Sequence, residues 1–294
     1  MFAEMDDLYQ RMKNRLKQCR KERNELEEIL AFYDKVLSAQ HETQEETPLP
    51  EIDLAEEQIE VRMAEGFPLI ESGNFSVDSN SSDRLFRRLC QISETENPVL
   101  ASAGKALLAA LDSGTLKTAE LSKAVLQNRV ETIEGYAKDL KVPLPVLQAL
   151  AKLSIQPSLL ATVAIVGKSS ELNKWRYGYC PICGGLPAIA ALVGEEGKRK
   201  ALCSFCGHLW WLPRLVCPFC DTESQEDLRY FFGEGDDLYR VQVCLQCKGY
   251  LKVVDTREGG DLMALAVDDV VTAHLDLLAE EEGYQRKAPR LWGI

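Results

Sequence analysis

Four CxxC pairs lie between Cys180 and Cys247: Cys180/Cys183, Cys203/Cys206, Cys217/Cys220 and Cys244/Cys247. They hold eight of the chain's ten cysteines. Each CxxC puts two thiolates on one tight turn, and two such turns build the four-sulfur tetrahedral cage that zinc and iron prefer. Four turns therefore make two cages. Nineteen residues separate Cys183 from Cys203 and 23 separate Cys220 from Cys244, but only ten separate Cys206 from Cys217. The longer gaps suit a knuckle, a hairpin and a second knuckle. This spacing assigns site one to Cys180, Cys183, Cys203 and Cys206, and site two to Cys217, Cys220, Cys244 and Cys247; an interleaved pairing is the alternative. Two metal ions per chain are expected, and composition does not choose iron over zinc.

Two knuckles read CPxC, at Pro181 and Pro218, and proline fixes φ there. Gly184 and Gly207 follow second cysteines, where a positive φ would bring backbone N–H groups towards the sulfurs. Structural disulfides fit less well, because no secretory signal is seen and a reducing compartment disfavours them. A thioredoxin-like pair would need one CxxC at a helix start, not four CxxC pairs in succession. An iron–sulfur cluster is disfavoured because paired knuckles suit single ions.

The 294 residues are enough for two or three domains. A net charge of −12 and a pI near 4.9 argue against a general nucleic-acid binder. Apolar runs stay short, the longest being Leu159 to Val166, so no membrane insertion is expected. The acidic N-terminus lacks a leader's apolar stretch, which predicts a cytoplasmic protein.

The elements that position the cages follow from periodicity. Met5, Leu8, Met12, Leu16, Cys19, Leu26, Ile29, Tyr33 and Val36 predict one helix over 2–40, with a gap near Glu22. Its basic block, from Arg11 to Arg23, is a partner-binding face or simply a solvated one. Cys19 and Cys90 read as core residues. Residues 41–51, with Pro48, Pro50 and a solvated His41, read as a linker. Residues 52–65 form a short helix that ends at Gly66 and Pro68, and Ser82 or Asp83 caps the next. From Asn97 to Gly167 the pattern is all helical, with starts at Asn97-Pro98, at Pro143 and Pro145, and at Pro157. Beyond Gly167, β-like runs appear at Ala188–Val193, Leu228–Phe232, Leu238–Val243 and Tyr250–Val254. Hairpin turns are read at Gly194–Gly197 and Gly233–Asp236. Cores this small need an ion as a staple. Asp261 to Glu282 returns to one helix, with His274 half-buried on it, and the tail carries Arg286, Arg290 and Trp292.

These residues resemble one known family, the formate dehydrogenase accessory proteins, FdhE. Trp175-x-x-Gly178-x-Cys180-Pro181-x-Cys183-Gly184 with Pro187 is one signature. Cys203-Ser204-x-Cys206 with Trp210, Arg214 and Cys217 is the second, and Cys244-x-x-Cys247-x-x-Tyr250-Leu251-Lys252 the third. The fourth is Asp268-Asp269, Leu275-Asp276-Leu277-Leu278, Glu282-Gly283-Tyr284 and Arg286. About 120 C-terminal residues are covered; the helical half is similar only in character and in Gly66-Phe67-Pro68-Leu69. Leu209, Trp211, Gln242 and Val243 depart from the family's usual residues, and none is an expected ligand. The resemblance implies a cytoplasmic maturation factor that binds the catalytic subunit of a formate dehydrogenase before export. It also implies rubredoxin-like sites, with iron favoured and zinc as the alternative.

The expected fold is therefore α+β and multidomain. An N-terminal all-helical bundle precedes two rubredoxin-like or zinc-ribbon metal modules and a C-terminal helix. The boundaries fall at 1–40, 41–51, 52–170, 171–214, 215–258 and 259–294. The leading function is a non-catalytic assembly chaperone, with Trp175, Trp210, Trp211 and Tyr250 either as exposed interface anchors or as roofs over the metal-site cores. Rubredoxin-like electron transfer is the alternative, since an iron cage can cycle and zinc cannot. A nucleic-acid ribbon would have Lys198-Arg199-Lys200 as its basic cluster. No phosphate loop, HExxH or nucleophile–histidine pair marks an enzyme. His208, two residues after Cys206, is a substitute ligand or a hairpin residue. A homodimer through the N-terminal or C-terminal helix is left open.

Overall fold

The computed structural model describes residues 2–233 and 238–290. A helical region leads into a central β region, and helices close the chain. The helices are α1 (Phe2–Glu22), α2 (Glu27–Glu46), α3 (Glu56–Ala64), α4 (Ser79–Ser93), α5 (Pro98–Asp112), α6 (Thr118–Leu126), α7 (Val130–Leu140) and α8 (Leu144–Val166). The single helix expected over 2–40 is two. The apolar stripe breaks where α1 stops at Glu22, and a short 3₁₀ turn over Asn24–Leu26 redirects the chain. Asp78, not Ser82 or Asp83, caps α4 by accepting the Ser81 amide at 2.7 Å. Asn97 caps α5 as expected, accepting the amides of Val99 and Leu100.

Pro157 does not open a helix; it lies inside α8. A proline there deprives the carbonyl four residues earlier of its N–H partner. That carbonyl belongs to Leu153, and the side-chain amide of Gln40 donates to it at 2.9 Å. One turn further on, Gln44 donates to the carbonyl of Pro157 itself at 2.9 Å. Two glutamines of α2 thus hold the proline turn, and α2 runs six residues into the segment expected to be a linker, ending at Glu46. His41, expected in solvent, stacks on Tyr9 with ring centroids 3.9 Å apart and lies 3.5 Å from the Asp6 carboxylate. By length and composition α8 could cross a membrane. Its side chains from Leu147 to Val166 are largely buried against α2, α4, α6 and α7, which makes it the spine of the helical core.

The strands are β1 (Pro187–Val193), β2 (Lys198–Cys203), β3 (Leu209–Leu212), β4 (Leu228–Phe231), β5 (Tyr239–Cys244), β6 (Gly249–Asp255) and β7 (Gln285–Arg286). Three of them, β2, β3 and β7, were not foreseen. The turn at Gly194–Gly197 is present, with positive φ at both glycines. The turn expected at Gly233–Asp236 falls largely outside the described residues, as does Trp292.

All the described strands join one sheet in the order β3-β2-β1-β6-β5-β4, with β7 also paired to β6. Within each cysteine region the pairing is antiparallel. The join is parallel: Ile189 to Leu192 of β1 pair with Lys252 to Asp255 of β6. Both strands leave a knuckle, β1 after Cys183 and β6 after Cys247, so parallel pairing places both knuckles at the same end of the sheet. The helix expected over Asp261–Glu282 is α9 (Leu265–Val271) and α10 (Ala273–Glu281), broken at Thr272, whose hydroxyl donates to the Asp268 carbonyl at 2.6 Å.

Candidate metal centres

Each knuckle repeats one backbone design. The residue after the second cysteine donates its amide to the carbonyl of the first: Gly184 to Cys180, Gly207 to Cys203, Asp221 to Cys217 and Lys248 to Cys244. All four have positive φ, between 56° and 77°. Glycine supplies this freely around site one, whereas site two forces Asp221 and Lys248 into it. The amides that approach sulfur come one residue later than expected at Gly184. Gly185 donates to Cys183 Sγ at 3.3 Å and Gly249 to Cys247 Sγ at 3.4 Å, while Phe205 and Cys206 both donate to Cys203 Sγ.

The eight sulfurs gather in two groups of four, Cys180, Cys183, Cys203 and Cys206 in one, Cys217, Cys220, Cys244 and Cys247 in the other. Within each group every sulfur lies within 4.8 Å of the others. Cys180–Cys206, Cys217–Cys247 and Cys220–Cys244 are 3.7 Å apart and Cys183–Cys203 3.3 Å. Metal–sulfur bonds of about 2.3 Å in a tetrahedron set sulfurs about 3.8 Å apart, so each group could hold one ion. None of the cysteines is in a disulfide. Burial pushes the Cys180 and Cys206 thiols well up, while bonds from the other three cysteines overcome burial at Cys203 and hold it well down. A cation at the centre removes that conflict, because all four sulfurs bind as thiolates. Space is also shaped for sulfur: a Cβ on Gly185 would lie 2.8 Å from Cys203 Sγ and 3.2 Å from Cys183 Sγ.

The two groups differ in exposure. All four cysteines of site one are buried, whereas Cys220 and Cys247 of site two are half-exposed. They also touch. Gly178, two residues before Cys180, packs so closely on Pro218 of the Cys217–Cys220 knuckle that a Cβ would sit 2.1 Å from the Pro218 carbonyl oxygen.

Three of the four aromatic candidates are roofs rather than exposed anchors. Trp175, Trp210 and Tyr250 are buried, and the two indoles donate to the carbonyls of Tyr179 and Tyr177. Trp211 is half-exposed and carries Lys200 over its ring at 4.5 Å. The basic cluster fails as a nucleic-acid surface. Arg199 is buried, binding Gln242 of β5 and the carbonyls of Pro213 and Val216, so it ties the first hairpin to the second. His208 gives its carbonyl to the Cys203 amide, and burial pushes its imidazole down to about 4. It is not among the grouped ligands.

A buried charge network was missed. Lys252 of β6 binds Asp269 at 2.9 Å and Asp276 at 2.7 Å. Arg286 of β7 grips both Asp269 oxygens, reaches Asp276 at 2.9 Å and donates to the Ala188 carbonyl of β1 at 3.2 Å. The Tyr250 hydroxyl donates to Asp276 at 2.7 Å. Nearby, Arg15 of α1 and Tyr239 of β5 both bind Asp268. These networks fasten α1, α9, α10 and the tail across the joined hairpins. Their members Lys252, Asp268, Asp269, Asp276 and Arg286 are residues of the third and fourth signatures quoted above.

Residues 215–292 match the family model described as FdhE, C-terminal domain. An FdhE homolog of Citrobacter koseri is 24% identical over 292 residues, covering 98% of this chain and 88% of the relative. Over nearly its whole length the chain is therefore similar to this FdhE homolog. An FdhE homolog of Aquifex aeolicus is 32% identical over 117 residues, 39% of this chain, and one of Stutzerimonas stutzeri is 34% identical over 116 residues. Those matches span 41% and 37% of the relatives' own lengths. The crystal structure of the FdhE protein from Pseudomonas aeruginosa superposes with a TM-score of 0.67 at 21% identity, covering 97% of this chain and 95% of that one, which shows a shared fold.

Proposed function

We propose that this chain is an FdhE-type protein: a cytoplasmic, non-catalytic maturation factor that binds the catalytic subunit of a formate dehydrogenase and supports its assembly before export. Cys180, Cys183, Cys203 and Cys206 hold one metal ion, and Cys217, Cys220, Cys244 and Cys247 a second, in rubredoxin-like sites with iron favoured over zinc. The carrying observation is that each cage takes all four ligands from the chain, which leaves no open position for substrate. The modules at 171–214 and 215–258 then act as one rigid platform, because β1 and β6 pair across their boundary. Exposed Leu215, Tyr230 and Phe232 lie beside site two and on or next to the edge strand β4, and they supply the apolar part of the partner contact.

Electron transfer is the second reading, favoured by the half-exposed Cys220 and Cys247, which bring site two near the surface. One experiment tests both. Chain purified without oxygen is assayed for metal, for its visible spectrum before and after dithionite, and for a complex with the catalytic subunit. About two irons, a bleachable spectrum and a complex lost on replacing Cys217 and Cys220 by serine are expected. Two zincs with the same complex would remove the redox reading. No complex at micromolar concentrations would remove the chaperone reading.

A further inference from the structure

Lys152 of α8 stands outside the charge network just described. There, the cations Lys252 and Arg286 already balance the carboxylates Asp269 and Asp276. Lys152 Nζ donates to the Ser204 carbonyl at 2.5 Å, its single hydrogen-bond partner among the described residues. An ammonium has three donors, and the one carbonyl leaves two of them for another acceptor, while Asp269 and the Cys203 sulfur act on the amine only through space. Burial already pushes Lys152 down to about 8.

The amine lies in the wall of a cavity of about 160 Å³ between α1, α2, α8, the Cys203–Cys206 knuckle and the start of α9. Leu37, Leu160, Leu202 and Phe205 make its other walls apolar, and exposed Met263 marks its mouth. Asp269 also borders it, with its oxygens taken by Lys252 and Arg286. An apolar cavity of about 150 Å³ accepts a benzene-sized body. One cation on an apolar wall suits one negative charge on such a body; a phosphate dianion would need more donors than Lys152 offers.

We propose that this cavity binds a small apolar monocarboxylate of about the size of benzoate. Its carboxylate pairs with Lys152 Nζ and its body packs on Leu160 and Phe205. The bland competitor is that Lys152 only offsets the charge of the thiolate cage, since Cys203 borders the same cavity.

Calorimetric titration of the metal-loaded full chain with benzoate separates the two. Saturable one-to-one binding is expected, at least tenfold tighter than benzyl alcohol or inorganic phosphate. Lys152→Met should weaken it at least tenfold, and Leu160→Trp, which keeps the amine and fills the cavity, should do the same. In the unaltered chain, benzoate should protect Lys152 from reductive methylation, read by peptide mass spectrometry. The proposal is overturned by absence of saturable binding, by benzyl alcohol binding as tightly as benzoate, or by equal methylation of Lys152 with and without benzoate.

Discussion

Replacing Gly178 by alanine tests whether the two cages are mechanically joined. The φ of Gly178 lies outside the left-handed region, so the backbone itself accepts alanine. Space does not: the new Cβ would sit 2.1 Å from the Pro218 oxygen, 2.7 Å from its carbonyl carbon and 2.8 Å from its Cα. Backbone atoms cannot rotate away as a side-chain tip can. A tolerable contact of about 3 Å requires the Cys217–Cys220 knuckle and the segment before Cys180 to part by about 0.9 Å. Metal–sulfur distances tolerate only about 0.2 Å, so the knuckle must move as a body or release its ion. Overpacking of this kind costs about 1–3 kcal/mol, which lowers a thermal midpoint by about 2–12 °C in chains of this order of size. Metal loss to a chelator should quicken in step, at site two first because Cys220 and Cys247 are half-exposed. Gly135→Ala is the control. It makes the same chemical change on an exposed face of α7 with nothing within 4 Å, and should stabilise by about 0.5–1 kcal/mol. Opposite signs for the two alanines support the join. A Gly178→Ala chain with unchanged melting and unchanged metal release would refute it.

Two further substitutions test what holds the platform to the helices. Arg286→Met leaves two buried carboxylates facing Lys252 alone, and should cost about 3–5 kcal/mol in urea unfolding, against about 0.5 kcal/mol for Arg84→Met in an exposed ion pair. Burial opposes ionisation of Asp269, yet Lys252 and Arg286 hold it at about 2 against an ordinary 3.8. Its contribution, on the order of 2 kcal/mol, is present above about pH 4 and is lost as pH falls towards 2; the gap between wild type and Arg286→Met should narrow over that window, and a gap that widens would contradict the assignment. Gln40→Leu removes the donor to the Leu153 carbonyl opposite Pro157 and should cost about 1–3 kcal/mol by the same unfolding assay; an unchanged midpoint would mean that the carbonyl finds another partner.

The two cysteine groups were legible because a four-sulfur site is built from local pieces. A CxxC fixes two sulfurs within four residues, and the gap lengths chose the partners that the sulfurs have in space. The joining of the hairpins was not legible, because β1 and β6 are some sixty residues apart and nothing in either strand names the other. A signal for burial did exist. Tyr250-Leu251-Lys252-Val253-Val254 is a nearly continuous apolar run, which marks a strand covered on both faces, and a lysine inside it must meet a carboxylate. Asp269 and Asp276 sit among Val267, Val270, Val271 and Leu275, and Arg286 lies two residues after Tyr284; the sequence marked all three as signature residues but assigned them no partner, because the fold brings them together from separate elements. The aromatics were left between two readings for a related reason. An indole beside a small hairpin can cover the core or face a partner, and the choice depends on whether a neighbouring carbonyl is free for its N–H; Tyr179 and Tyr177 supply one each. Pro157 misled because a proline start and a braced interior proline look alike in sequence, and the brace, Gln40 and Gln44 one turn apart on α2, lies more than a hundred residues away. The residues of the four sequence signatures therefore mark two different things. The cysteines mark chemistry within each cage, while Gly178, Lys252, Asp269, Asp276 and Arg286 mark the seams that make two cages one body. A partner that grips both cages would meet a fixed spacing between them, and that spacing rests on the seam residues rather than on the ligands.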